Sequence, residues 1–444
     1  MMPLTVRGTI IQTPTPGHIE VLEDHLVTVD DGGVIVSVVS AVGTDADVNL
    51  AENSLLFPGL IDTHIHAPQW PQLGTGLDLP LEEWLFEYTF PLEARFADEG
   101  FARQVWAAMV PRLLALGTTT AVYYASTHEP ATLALAEACV EHGQRAFVGR
   151  VAMDHHDGTP EWYRDQGAAE AVGASERSIH AIRGLDSALV APIITPRFIP
   201  ACTDAALEGL GELAVASGAL VQTHCSESDW EHGYVLDRYG RTDTESLHSF
   251  GLVRDHTVLA HATHLTAADR RIVVGAGAGV AHCPLSNSYF ANAVFPARAS
   301  IEGGLRVGLG TDVAGGSTAS MLAQCQHAVT SSRMLEDGVD PGGATSRSDA
   351  RIDAATAFWM ATVGGADLLG IPAGLLAPGR LFDAFVVKTD RDTSLSPPGE
   401  ADDHHRTFET IICGSAVCAI TQVWVGGTDV TPRRRSEPNP SGPE

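Results

Sequence analysis

The sequence has 444 residues, an ordinary 44% of hydrophobic residues and a formal net charge of −28. This acidity disfavours binding to nucleic acid, because the phosphate backbone would be repelled. No apolar run reaches the ~20 residues of a membrane span, and the N-terminus lacks the basic and apolar regions of a signal peptide. We therefore expect a cytoplasmic globular protein that binds neither nucleic acid nor a membrane, with its seven cysteines as free thiols.

Short β-branched runs broken by Gly, Pro and Asp begin the chain and predict strands. They read LTVRGTIIQT, IEVLEDHLVTVDD and GVIVSVVS, and strand-like runs return late in LFDAFVVKT and ETIICGSAVCAITQVWVGG. We expect residues 1–57 and 376–430 to form one composite β-rich domain, a small β-sandwich built from both chain ends. Residues 431–444 are polar and rich in Pro, which predicts a disordered tail.

Between these ends, over residues 58–375, helical stretches alternate with short apolar runs. Helices are predicted in GFARQVWAAMVPRLLALG, ATLALAEACVEHG and TDAALEGLGELAVASG. Together with the strand at 57–64, the apolar runs number about eight: TTTAVYYAS, RAFVGRVAM, LVAPIITPRF, ALVQTHCSE, HTVLAHATH, GVAHCPLSN and RVGLGTDVAG. A repeated strand–helix order predicts a parallel sheet, and eight such units predict an α/β fold with a closed, TIM-like (β/α)₈ barrel.

The stretch FPGLIDTHIHAPQW, residues 57–70, ends the first barrel strand with Asp62, His64 and His66. Successive side chains of a strand alternate between its faces, so these three point the same way. Neutral imidazoles that converge in this manner are common zinc ligands. The competing interpretation is a polar strand end whose two His are only solvated.

Polar residues also end several later strands of the predicted barrel. They are His224 and Glu227 in VQTHCSE, His261 and His264 in VLAHATH, His282 in VAHCPLSN, and Asp312 in VGLGTDVAG. A single His at a strand end is usually a core residue, but packing gives no reason to gather four such ends. Active sites of these barrels lie at the carboxyl ends of the strands, so we expect these residues to form one site.

The order Pro-Gly-x-x-Asp-x-His-x-His, then two more His and a late Gly-Thr-Asp, resembles the metal-dependent amidohydrolase superfamily. HAPQW, DLPLEEWLFEYTFP, TPRF, HCSE and GLGTDVAGG look more narrowly like its guanine deaminase family, from about residue 55 to 335. Two stretches depart from that pattern. LSNSYFANAVFP is bulkier and more aromatic, which leaves the ring selectivity open, and AHATHL adds His264 near His261, so that these two could exchange roles.

The resemblance implies zinc ligands at His64, His66, His224 and Asp312, with an open position for water. Iron is an alternative, because the ligand types do not exclude it. Superfamily members with two metals bridge them by a carboxylated lysine on a middle strand. The only lysine here is Lys388, outside the barrel region, so the resemblance implies one metal.

The resemblance also implies three catalytic roles around that metal. Asp312 would accept the proton of the attacking water, and His261 would hydrogen-bond the hydroxide and the tetrahedral intermediate. Glu227, three residues after the ligand His224, would carry protons to the ring and the departing amine. The competing interpretation of Glu227 is a solvated carboxylate in a loop.

Gln69, Arg197 and Phe198 are the substrate-binding residues that the resemblance implies. Arg197 would bind the carbonyl of a purine, Gln69 its neighbouring edge, and Phe198 would pack on the ring. An Arg at such a position is by default a surface ion-pair partner, which is the competing interpretation. The aromatic segment LPLEEWLFEYTFP could close over the site, although ordinary helix packing explains it nearly as well.

The implied function is zinc-dependent hydrolysis of guanine to xanthine and ammonia, with a small aminopurine as the substrate. Three alternatives stay open: a deaminase of another aminopurine, a pterin or a triazine on the same metal site; a cyclic-amide hydrolase, against which the missing lysine counts; and a non-catalytic scaffold. Members of the family are often dimers, so the resemblance allows a homodimer.

Overall fold

The computed structural model describes residues 4–41, 43–291, 293–338, 346–389, 403–414 and 419–432. Its strands are β1 (Leu4–Thr15), β2 (His18–Val29), β3 (Ile35–Ser40), β4 (Val48–Asn49), β5 (Ser54–Pro58), β6 (Leu60–His66), β7 (Thr118–Tyr124), β8 (Arg145–Gly149), β9 (Val151–Ala152), β10 (Val190–Pro196), β11 (Leu220–Cys225), β12 (Val258–His261), β13 (Gly279–His282), β14 (Arg306–Leu309), β15 (Ala384–Lys388), β16 (Ala419–Val425) and β17 (Thr428–Asp429).

The helices surround and connect these strands. They are α1 (Leu81–Trp84), α2 (Phe90–Ala94), α3 (Glu99–Ala115), α4 (Glu129–His142), α5 (Ala168–Arg183), α6 (Asp204–Ser217), α7 (Asp229–Tyr239), α8 (Asp243–Ser249), α9 (Ala267–Ala276), α10 (Pro284–Ser286), α11 (Ala297–Glu302), α12 (Met321–Asp337), α13 (Ala354–Trp359), α14 (Gly365–Leu369) and α15 (His404–Cys413). None of those in the described ranges combines the length and the apolar character needed to traverse a bilayer.

The barrel consists of parallel strands that follow one another in chain order from β6 to β14, with the short β9 paired beside β10. It closes where the segment after β14 meets β6. There the N–H of Asp312 donates to the carbonyl of His64 at 2.9 Å, and the N–H of His66 donates to the carbonyl of Val313 at 3.0 Å. The predicted (β/α)₈ barrel is confirmed, and its parallel order brings the carboxyl ends of all its strands to one rim.

The second sheet combines both ends of the chain, in the order β17-β16-β15-β5-β1-β2-β3, with β4 beside β1. Strands β15 and β5 are antiparallel neighbours, with Ala384 opposite Pro58. The predicted β-rich unit from both chain ends is therefore confirmed. The exact domain boundaries at residues 57 and 376 stay a prediction, and the predicted tail lies outside the described residues from residue 433 onward.

Strand alternation in β5 joins this second sheet to the barrel. Leu55 and Phe57 belong to the large core that the barrel and its helices share. Leu56, between them, points to the opposite face and packs in a separate core that includes Val6 and Trp424. Because β5 is apolar on both faces, as expected for a strand covered on two sides, it connects two hydrophobic cores.

One predicted strand is wrong in its first part. The run ETIICG was predicted as strand, but Glu409 to Cys413 lie in helix α15, whose N-cap is Asp403. The buried residues of this helix are Thr407, Phe408, Ile411 and Ile412. Their spacing follows the period of a helix, and the carboxylate of Asp403 accepts from two backbone N–H groups of the first turn, which favours a helix start.

Gly149 tests how tightly the barrel interior is packed. A Cβ atom at this position would overlap Oγ1 of Thr195 and lie 2.6 Å from the carbonyl oxygen of Ile193. We expect Gly149→Ala to lower the free energy of unfolding by ~1–3 kcal/mol, measured by urea denaturation. The matched control is Gly233→Ala in α7, whose Cβ would meet nothing within 4 Å and should leave stability unchanged or raise it by ~0.5–1 kcal/mol. Equal free energies of unfolding for Gly149→Ala and Gly233→Ala would contradict tight packing around Gly149.

Candidate active site

Three imidazoles and a carboxylate converge at the rim of the barrel. His64 and His66 end β6, His224 lies in β11, and Asp312 follows β14. The Nε2 atoms of His66 and His224 are 3.0 Å apart, and Oδ1 of Asp312 lies 3.1 Å from Nε2 of His64 and 3.5 Å from that of His66. The predicted ligand residues are thus brought together, although they come from three separate stretches of the chain.

The donor set fits a metal ion in both spacing and protonation. Tetrahedral zinc with bonds of 2.0–2.1 Å holds its ligand atoms roughly 3.4 Å apart, close to the observed distances. The N–H at Nδ1 of His224 donates to the carbonyl of Arg197 at 2.5 Å, which leaves the Nε2 lone pair for a metal. Burial lowers the pKa of His64, His66 and His224 well below the ordinary value, so all three imidazoles are neutral, as metal ligation requires.

His64 supplies a further sign of a missing partner. Its ring is fully buried, and neither Nδ1 nor Nε2 makes a hydrogen bond of normal geometry, although Oδ1 of Asp312 approaches Nε2 to 3.1 Å. Buried polar atoms are normally satisfied, and each exception requires an explanation such as an ion. A metal ion bound between His64, His66, His224 and Asp312 would satisfy Nε2.

Asp62, the first polar residue of the motif, has a different task. Its carboxylate accepts from the backbone N–H of Thr311 at 2.9 Å and from the hydroxyl of Thr311 at 2.5 Å. It also accepts from the N–H of His64 at 3.2 Å. Burial raises the pKa of Asp62 to about 7. Asp62 therefore connects β6 to the residue just before Asp312 and holds the two sides of the metal site together.

Glu227 and His261 lie on the other side of Asp312. Nε2 of His261 is 3.6 Å from Oε2 of Glu227 and 3.9 Å from Oδ2 of Asp312. The Nδ1 of His261 is 2.9 Å from Oδ1 of Asn287. Because a carbonyl oxygen only accepts, Nδ1 carries the hydrogen and Nε2 of the neutral ring has a lone pair that faces the two carboxylates.

Burial and the negative charge of Asp312 raise the pKa of Glu227 well above the usual range of a carboxyl group. Burial lowers the pKa of His261. A protonated carboxyl beside a neutral imidazole is an arrangement that can both deliver and accept a proton near neutral pH. This pair is therefore a candidate acid–base unit.

The backbone around these groups is strained. His261, Ala262 and Asp312 have φ angles of 67°, 52° and 47°, a left-handed region that non-glycine residues adopt rarely. Such conformations cost of order 1–3 kcal/mol each and gather at functional sites.

His264 lies outside this site. Its Nε2 is 2.9 Å from Asp229, and it lines a separate cavity with His232. His261 is thus the imidazole beside Glu227 and Asp312.

A cavity opens onto the metal site. His66, His224, Glu227 and Asp312 form its polar floor, and Gln69, Arg197 and Phe198 its side. Apolar residues of two segments, Leu81, Trp84, Leu85 and Phe290, cover it. The first three belong to the aromatic segment that the sequence offered as a possible cover. His64 and His261 are fully buried behind the floor, and His282 does not line the cavity.

Sequence reasoning missed one residue of this site, Glu93 in α2. Its carboxylate is fully buried and accepts from Nη1 and Nη2 of Arg197 at 2.6 and 3.1 Å. It also accepts from Nε2 of Gln69 at 2.9 Å. Arg197 is therefore an ion-pair partner, but a buried one that also lines the cavity. No local pattern around Glu93 distinguishes it from the other acidic residues of its segment.

The amidohydrolase family model matches residues 55–430. The chain belongs to the amidohydrolase family, whose members are metal-dependent. Its curated relatives include the probable guanine deaminase of Schizosaccharomyces pombe, 35% identical over 95% of this chain and 82% of the relative. Mouse guanine deaminase is 34% identical over 97% of each chain. The solved guanine deaminase of C. acetobutylicum with bound guanine has a TM-score of 0.87 at 28% identity, covering 96% of this chain and 99% of that one. The resemblance seen in the motifs is confirmed.

The metal site gives a direct prediction. We expect His66→Ala to lose most of its bound metal, measured by elemental analysis of the purified protein, because one of four convergent donors is removed. The fold should remain, since the ring of His66 lies at the strand end and the apolar side chains of β6, Leu60, Ile61 and Ile65, stay buried in the core. The matched control is His264→Ala, which removes an imidazole outside the cluster. If the two variants retain equal amounts of metal, the assignment of the ligands is wrong.

Proposed function

We propose that this protein is a zinc-dependent hydrolase that converts guanine to xanthine and ammonia. The observation that carries the proposal is one cavity lined by three of the four metal-type donors, by Glu227 and by the Arg197–Gln69 pair. His64 and His261 lie directly behind its floor. The guanine deaminases among its relatives support guanine as the substrate. We further propose a cytoplasmic location, as expected from the sequence, and a homodimer, which the family resemblance allows.

One zinc ion would be held by His64, His66, His224 and Asp312, with iron as the alternative metal. When bound, the metal supplies Lewis-acid activation of water, which provides a nucleophile at neutral pH. The only lysine of the sequence, Lys388, ends β15 in the second sheet. No carboxylated lysine is thus at hand to bridge two ions, which supports one metal and counts against the cyclic-amide hydrolase alternative.

The chain's own residues would move the protons. Asp312, at the rim beside His64, would accept a proton from the attacking water while a C–O bond forms at the carbon that bears the amine. Glu227, with its raised pKa, would donate its proton to the ring nitrogen next to that carbon. The proton held by Asp312 then passes through Glu227 to the amine, the C–N bond breaks and ammonia leaves. As the added oxygen becomes the product carbonyl, its hydroxyl proton restores the protonated form of Glu227. His261 would hold the oxygen added to the ring by a hydrogen bond at Nε2.

Arg197, Gln69 and Phe198 would select and hold the ring. Two of the five N–H groups of the Arg197 guanidinium bind Glu93, which leaves three for a substrate carbonyl. Phe198 is buried in the cavity wall and offers an aromatic surface. The ring edge that carries the reacting amine would then face Glu227 and Asp312.

The structure bears on two alternatives from the sequence: another ring as the substrate, and a non-catalytic scaffold. Phe290, in the segment that departs from the guanine deaminase pattern, lines the cavity and packs 5.0 Å from the ring of Trp84. It is where another aminopurine, a pterin or a triazine would be accommodated differently. A non-catalytic scaffold is disfavoured because it has no physical need for a buried cluster of four metal-type donors, and it should purify without stoichiometric metal.

Glu227→Gln tests the proton transfer. Glutamine keeps the shape of the side chain but cannot release a proton, so kcat for guanine should fall by ~10²-fold or more. Metal content should stay unchanged. Glu208→Gln, at an exposed position of α6, is the matched control and should keep full turnover. Steady-state ammonia release measures both, and unchanged kcat in Glu227→Gln would remove Glu227 from the mechanism.

Arg197→Met tests whether Arg197 recognises the ring carbonyl of the substrate. Methionine keeps bulk but removes the donors, so guanine should lose ~2–4 kcal/mol in kcat/KM, roughly 30- to 1000-fold. The substrate 2-aminopurine lacks the carbonyl and should lose much less. Metal content and the thermal midpoint of unfolding are followed in parallel, since Glu93 loses its cation. Equal losses for both substrates would show that Arg197 only supports the pocket.

A further inference from the structure

We propose that Glu93 is a positioning residue that sets the selectivity for a ring carbonyl, by holding Arg197 and Gln69 as one rigid group of hydrogen-bond donors. The inference rests on the proposed function, because it names what makes that site prefer a carbonyl-bearing ring. Glu93 does not line the cavity, and it would act on substrate only through these two side chains.

The contacts of Glu93 use its whole acceptor capacity. Oε1 accepts from Nη2 of Arg197 at 3.1 Å and from Nε2 of Gln69 at 2.9 Å. Oε2 accepts from Nη1 of Arg197 at 2.6 Å and from the hydroxyl of Tyr163 at 3.1 Å. A carboxylate has about four lone-pair sites, and all four are filled. Glu93 therefore holds its neighbours in a fixed arrangement and leaves no acceptor of its own for a ligand.

Charge makes this arrangement hard to replace. Arg197 and Glu93 are almost completely buried, with side chains 3% and 0% exposed. A buried guanidinium without a counterion is very unfavourable, so the carboxylate is what allows Arg197 to lie in the cavity wall. The bidentate geometry also fixes the plane of the guanidinium. The ring of Phe90 supports that plane from one side, 4.9 Å from the guanidinium carbon.

Gln69 receives its orientation from the same carboxylate. Its Oε1 accepts from the backbone N–H of Ala314 at 3.0 Å, and its Nε2 donates to Glu93. Ala314 N–H can only donate and the Glu93 carboxylate can only accept, so the amide cannot be flipped without losing both bonds. Ala314 is two residues after Asp312, which ties this orientation to the metal site.

The N–H donors of Arg197 and Gln69 are thus fixed in the cavity wall. The Glu93 carboxylate, whose negative charge neutralises Arg197, lies out of reach of the ligand. A ring carbonyl, as an acceptor, satisfies such donors. A ring that has only hydrogen at that position leaves them unpaired in a buried place, which costs free energy. The preference for guanine over 2-aminopurine would thus depend on Glu93 although Glu93 touches neither.

The test compares Glu93→Gln with the unmutated enzyme on guanine and on 2-aminopurine. A Gln at 93 offers fewer acceptors and removes the counterion, so Arg197 should shift. We expect kcat/KM for guanine to fall at least ~30-fold, mainly through KM, and that for 2-aminopurine less than ~5-fold. Metal content should not change. The matched control is Glu87→Gln, an exposed carboxylate of the same segment, which should alter neither substrate.

A double-mutant cycle isolates the route of the effect. If Glu93 acts through Arg197, Glu93→Gln should cost guanine turnover less than ~3-fold when Arg197 is already Met, because both changes remove the same contact. This double variant also removes both charges of the pair, so it should fold at least as well as either single variant. Full additivity of the two losses would overturn the proposal.

Glu93→Asp covers the case in which Glu93→Gln does not fold. Aspartate keeps the counterion of Arg197 but is one methylene shorter. We therefore expect a smaller loss of kcat/KM than for Glu93→Gln, and again a larger loss for guanine than for 2-aminopurine. Equal losses on the two substrates, in either variant, would reduce Glu93 to a structural residue. Failure of the unmutated enzyme to turn over guanine would instead overturn the proposed function, so the two failures are distinguished.

Discussion

The hydrogen bonds between β6 and the segment that follows β14 are the constraint on which the rest of the molecule depends. They close the barrel, and they also set Asp312 against His64 and His66. Asp62 adds a second attachment through Thr311. Closure of the barrel therefore also brings Asp312 against His64 and His66.

Burial has opposite consequences for the two kinds of titratable group at this rim. It keeps the imidazoles of His64, His66 and His224 neutral, which suits them to bind a cation. It also keeps a proton on Glu227, which suits that residue to deliver one. Arg197 is the exception, because it stays charged although it is buried, and Glu93 is its counterion. Removal from water thus prepares the metal ligands and the acid, whereas the binding residue Arg197 requires a buried counterion.

Much of the fold could be predicted from the sequence, because the strand–helix alternation is a local pattern. The same holds for His64 and His66, whose shared face follows from strand geometry, and for His224 and Asp312, which end predicted parallel strands. Glu93 could not be found, because its partner Arg197 lies 104 residues away and Glu87 looks the same in sequence. The second half of α15, from Glu409 to Cys413, was predicted as strand because β-branched residues such as Ile411 and Ile412 favour strands locally. Only the burial of these residues on one helix face reveals the helix.

The pairing of β5 with β15 has a consequence for the order in which the protein is made. Gly59 alone separates β5 from β6, the strand that carries His64 and His66, and β5 pairs along its whole length with residues 384–388. A ribosome synthesises those residues more than 300 positions after β5. During translation the edge of β5 that pairs with β15 therefore stays unpaired until most of the chain has been synthesised.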